Sequence, residues 1–283
     1  MVDPAIVIAR FATYGLAILA FGTAVYRTLI APRGGGEASA LVRVIASAAL
    51  SLSALAYLAL LGRQIAHSAG WPGADILREL ADTTVFGRAL VVTAAAAAAS
   101  AAVGLAAKHA RWPRAGLSGA ALAALAFVGH AADGEGGLGS LRIATMALHL
   151  MAVGAWLGAL PGLLSGLRAS EPEAYSLLRR FGVLGGAAVA VVLLTGAGSL
   201  AFTVTQARGR LGTTYLAVLA AKLAAVLGLL ILAAVNRFRL TPAFGENPCR
   251  ALPILRRTIF VEQALAICAI GVVAWLGQLD PSM

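Results

Sequence analysis

The chain has 283 residues, 60% of them hydrophobic and only 12% charged, with a mean hydropathy of +0.88. A soluble domain of this length carries about twice that charged fraction, so the composition excludes a water-soluble globule. The net charge of +10 comes from basic residues set between apolar runs, which is how topology signals are arranged; no continuous basic face for nucleic acid is present.

The periodicity predicts an all-α, polytopic membrane protein with eight transmembrane helices, over 5–31, 40–62, 84–107, 113–131, 140–166, 176–205, 213–236 and 254–278. Each run is long enough for a hydrocarbon core of about 30 Å at about 1.5 Å per residue. The first run, from Ala5 to Ile30, is too long for a signal-peptide core and has no basic flank, so it reads as a retained span. Segment 72–82 is too short and too charged to cross and reads as a short surface helix or structured loop. Pro113, Pro172 and Pro253 lie near helix starts, where a missing N–H costs little. Cys249 and Cys268 are too far apart in sequence for a Cys-x-x-Cys metal motif, and they form no disulfide framework.

The loops after spans one, three, five and seven hold 13 Lys and Arg residues, and the opposite side holds 7. By the positive-inside rule both termini lie outside, as does the 132–139 loop. A weak internal repeat matches Thr84-Val85-Phe86-Gly87 at the start of span three with Thr213-Thr214-Tyr215-Leu216 at the start of span seven. Lys108 and Arg237 close those spans at the same offset. Two parallel four-helix halves, 1–131 and 132–283, would produce this pattern.

The costly residues are few. His130 and His149 bracket a short Gly-rich loop, and His149 sits inside an apolar span. At 100° per residue, Arg142, Thr145, His149 and Trp156 fall within about 60° of one another on span five. Gly154, Gly158 and Gly162 repeat every four residues on the opposite side, a ridge that permits close helix contact. Met146 flanks the polar face. Imidazole with thioether suits copper, Cu(I) above all, better than calcium or magnesium, so His130, His149 and Met146 are candidate ligands. Asp133 and Glu135 are acidic attractors at the entrance, with Trp156 and Thr145 in support. His149 lies about 12 Å into its span at the helical rise and His130 at the outer end of span four. The two are either ligands of one ion or successive stations on one path. Lys222 and Glu262 lie at similar depths in antiparallel spans, so an intramembrane ion pair is expected, either structural or a gate. No catalytic residue is assigned.

Gly129-His130-Ala131 and Leu148-His149 through Trp156-Leu157-Gly158 resemble the central motif of the copper resistance protein D family, the CopD/PcoD type. Arg180-Phe181, Leu194-Thr195-Gly196, Thr214-Tyr215, Lys222, Asn236 through Pro242, Glu262 and Trp275-Leu276-Gly277 follow in the order and spacing of that family. The resemblance is strongest over 125–283. It departs at Leu216, where a glycine often follows the aromatic, and in lacking methionine-rich outer segments.

The resemblance implies an eight-span protein of the bacterial inner membrane, tied to copper uptake or homeostasis. It also implies a periplasmic copper-binding partner of the C type, expected as a separate chain because no soluble domain flanks the spans. On this reading copper is captured near Asp133, Glu135 and His130. It then passes to His149 and Met146 and descends a polar seam towards Lys222 and Glu262. A haem-binding electron-transfer protein and an assembly factor delivering copper to an oxidase are the alternatives. Bis-histidine haem needs two imidazoles at one depth.

Overall fold

The computed structural model describes residues 3–31, 37–69, 73–107, 110–128, 136–206 and 212–279, and among these it is helical with no strand. Eleven α-helices run in chain order: α1 Pro4–Val25, α2 Glu37–Ala69, α3 Gly73–Thr83, α4 Val85–Ala106, α5 Arg111–Ala124, α6 Gly136–Leu157, α7 Leu160–Gly166, α8 Glu171–Gln206, α9 Thr213–Val235, α10 Thr241–Glu246 and α11 Pro248–Leu276. Seven stretches built from them are long and apolar enough to cross a membrane. The fourth predicted span, 113–131, corresponds to α5 and a following 3₁₀ turn, Leu125–Phe127, which together are shorter than those seven. The segment predicted as a surface helix is α3, held to the bundle by Ile76 and Leu80.

Side-chain chemistry explains the ends of these helices. Asp3 accepts the amide of Ala5 at the start of α1, and Thr84 accepts that of Gly87 at the start of α4. Pro161 sits in the first turn of α7, which follows a break at Gly158–Ala159. Spans one and seven each close with a five-residue π turn, Tyr26–Ile30 and Asn236–Leu240.

Helix α1 is the hub and packs against α2, α5, α6 and α11. With α2, α4 and α5 it encloses one apolar core around Leu50, Tyr57, Leu90 and Leu122. A second core joins α6, α8, α9 and α11 through Trp156, Val192, Leu229 and Ala266. A third, around Leu160, Phe244 and Leu255, ties the π turn of span one to α7, α8, α10 and α11.

The predicted glycine ridge is the α1–α6 contact. A Cβ on Gly22 would lie 2.2 Å from the carbonyl carbon of Gly158 and 2.4 Å from the carbonyl oxygen of Gly154. Gly162 is covered by the ring of Tyr26. The two backbones therefore touch, as small residues at spacing four allow. This contact turns the opposite face of α6, with its polar stripe, towards α8 and α11.

Candidate functional site

Along that stripe α6 and the antiparallel α8 pair residue by residue. The guanidinium of Arg142 lies 5.7 Å from the ring centre of Phe202. Thr145 faces Gly198, and the imidazole edge of His149 faces Gly196. His149 Nδ1 is 2.9 Å from Thr195 Oγ1. The Thr195 hydroxyl is also 2.6 Å from the carbonyl of Val191, one turn back on α8. A hydroxyl has one hydrogen, and the shorter bond to a carbonyl must use it. Thr195 therefore accepts from His149 Nδ1–H. That tautomer leaves the lone pair on Nε2, the nitrogen with which the ring could accept a metal ion.

Two turns further along α6, the stripe meets α11 and the end of α9. Trp156 Nε1–H donates to Glu262 Oε1 at 3.0 Å, and Asn236 Nδ2–H donates to Oε2 at 2.9 Å. Thr258 Oγ1 donates to Asn236 Oδ1 at 2.5 Å. Glu262 is 2% exposed, so both its oxygens depend on these partners. Beside the network lies a cavity of about 370 Å³ between α8 and α9, walled by Phe181, Gly185, Val189, Leu230 and Ile259. Arg237 spans it from the π turn, donating to the Gly182 carbonyl on α8.

The predicted Lys222–Glu262 pair does not form. Helix α11 starts at Pro248, six residues before the expected 254, and α9 runs on through its π turn into α10. This sets the register of the hairpin: Gly228 faces Leu265, and Asn236 faces Glu262. Lys222 lies fourteen residues before Asn236, about 21 Å along the helix at 1.5 Å per residue. Among the described residues it has no hydrogen-bonded or ion-paired partner. Its ammonium group is instead within electrostatic range of His149.

The other predicted ligands are dispersed. Met146 packs on the core shared by α1, α2, α4 and α5, whereas the His149 ring is bonded to α8. His130, Asp133 and Glu135 lie outside the described residues. Among the described residues no group of three His, Cys, Asp or Glu side chains could hold a metal ion. Sequence reasoning did not assign roles to Thr195, Asn236 or Thr258. The signal is clear at Thr195, a hydroxyl in an otherwise apolar stretch, whereas Asn236 and Thr258 stand beside arginines.

Comparison with known proteins accounts for the whole chain. Residues 1–141 match the family model of the copper resistance protein D-like N-terminal domain, and residues 175–276 match that of copper resistance protein D. The chain is 32% identical to copper resistance protein D of Pseudomonas syringae pv. tomato, over 100% of this chain and 99% of that one. It is 29% identical to the inner membrane protein YebZ of Escherichia coli (strain K12), over 56% of this chain and 55% of that protein. No solved structure matches it. Full-length identity, two family models and a bundle of membrane-length helices agree: the chain belongs to the copper resistance protein D family of multi-pass membrane proteins.

Proposed function

We propose that this protein carries copper inward across the bacterial inner membrane, with His149 as the station inside the bilayer. The observation that carries this reading is the Thr195 bond to His149 Nδ1, which leaves Nε2 as an acceptor part-way along a membrane helix. A metal-binding histidine commonly has its second nitrogen fixed in this way. His149 follows Gly136 by thirteen residues, about 20 Å along α6, so an ion that reaches it has left the surface.

The 132–139 loop lies on the periplasmic side in this reading, as do both termini. Asp133, Glu135 and His130 gather the ion there, and a separate periplasmic copper protein of the C type supplies it. Lys222 opposes prolonged residence, because its positive charge acts on the same ring. The ion therefore pauses at His149 and moves on.

The test is copper uptake into proteoliposomes by wild type and by His149→Ala. Uptake should fall at least tenfold in the variant. Equal rates would remove His149 from the path. An absorbance spectrum of the same preparation separates the haem reading, since a Soret band lost with His149 would mark haem in place of copper.

A further inference from the structure

The buried group of Trp156, Glu262, Asn236 and Thr258 has a second hydrogen-bonding arrangement open to it. In the one observed, the partners of the Glu262 carboxyl group are both donors, Trp156 Nε1–H and Asn236 Nδ2–H. That arrangement fits the ionised carboxylate. A protonated acid would bring a hydrogen with no acceptor in front of it. Yet a bare carboxylate among apolar helices is costly without a counter-charge.

Among the described residues the elements around it bring none into contact. Arg237, at the π turn, is turned to the Gly182 carbonyl, and Arg239 is exposed. On α9, Lys222 is fourteen residues before Asn236, the residue that faces Glu262. On α1, Arg10 donates to the carbonyl of Gly277, and the Tyr14 hydroxyl faces the carbonyls of Leu125 and Val128. On α6, His149 is bonded to Thr195. On α10, Glu246 is exposed, and α7 holds no titratable side chain.

Half a turn of the Asn236 side chain exchanges its oxygen and nitrogen, which are nearly equal in size. Oδ1 then faces Glu262 Oε2 and can accept the hydrogen of the protonated acid. Nδ2 faces Thr258 Oγ1 and donates to it. The Thr258 hydrogen moves to the carbonyl of Ile254 or Leu255, each already 3.1 Å from Oγ1. Trp156 stays where it is. Each of the four side chains keeps a partner in both states, so neither state strands the carboxyl group.

We propose that Glu262 is an exchangeable proton-binding site and that rotation of the Asn236 amide accompanies each proton gained or lost. One proton joins one carboxylate oxygen and leaves by the same bond, with the adjoining cavity as its route. The use of the site rests on the transport reading: a proton taken up on the far side and released on the side from which copper arrives offsets part of the charge moved.

The test is infrared difference spectroscopy of the full chain in lipid, between alkaline and acidic buffer. Wild type should gain a protonated-carboxyl band in acid, paired with a displaced side-chain amide band. Glu262→Gln should lose the first band, and Asn236→Leu the second. Should Glu262→Gln fail to fold, Glu262→Asp keeps a carboxyl group and should move the band instead of abolishing it. A carboxyl band untouched by either Glu262 variant overturns the proposal, as does a Glu262 band with no amide band that depends on Asn236. If copper uptake proves independent of this chain while both bands behave as stated, the transport reading fails and the proton site stands.

Discussion

Two glycine-to-alanine changes on one helix should act in opposite directions, and the contrast measures the α1–α6 contact. At Gly22 the new Cβ would sit 2.2 Å from the Gly158 carbonyl carbon and 2.4 Å from both Gly158 Cα and the Gly154 carbonyl oxygen. Carbon atoms rest at about 3.5–4.0 Å, so the helices would have to part by more than about 1 Å. The obstructing atoms are backbone and cannot swing aside. Overpacking of this kind costs about 1–3 kcal/mol, and a backbone clash puts Gly22→Ala near the upper end. At Gly15 a Cβ meets nothing within 4 Å. There alanine gains its helix preference over glycine, about 0.8–1.0 kcal/mol. The two variants should therefore differ by about 4 kcal/mol. Thermal unfolding in one mild detergent, followed by circular dichroism, reads the difference directly. If Gly22→Ala proves as stable as Gly15→Ala, the helices do not touch at this ridge and the orientation of the α6 stripe loses its basis.

Other substitutions address single bonds. Thr195→Val removes the acceptor of His149 Nδ1–H and should lower copper uptake several-fold, with Thr195→Ser restoring it; nitrogen NMR of the imidazole should show the tautomer loosened in the valine variant. Trp156→Phe strands Glu262 Oε1 and should cost about 1–3 kcal/mol in thermal unfolding. Trp275→Phe, at a ring 47% exposed, serves as the neutral control. Gly277→Ala would place a Cβ 2.3 Å from Arg10 Nη2 and displace the guanidinium from its carbonyl. The cost should be about 1–3 kcal/mol and should shrink sharply in an Arg10→Met background, as a double-mutant cycle would record.

Sequence periodicity made the helices legible because a bilayer demands long apolar runs whatever the tertiary contacts. It also showed the two faces of α6, since glycine at spacing four and polar groups at heptad spacing are local patterns. Pairing between helices was less visible. The Lys222–Glu262 expectation needed the start of α11 to within a turn, and the helix begins six residues early, at Pro248. A proline in the first turn is compatible with two starts, Pro248 and Pro253, and the tertiary fold uses the earlier one. Thr195 was quoted in the family motif with no role, because the atom it serves lies 46 residues away on another helix. Asn236 stood out as polar, yet its partner depended on the same register that misled the Lys222 reading.

The arginines near one end of the bundle do more than their number conveys. Arg27 donates to the carbonyl of Ala31, Arg180 to that of Ile30, and Arg256 to that of Leu167. All three oxygens lie at the last residue or the cap of a helical segment, where the regular ladder of amides ends. A charge swap between loops, made to reverse the direction of insertion, would also strip these helix ends of their partners. Which way the protein sits in the bilayer and how firmly its helices finish are therefore one property of the chain. An inverted variant would have to rebuild its helix ends as well as its charge count.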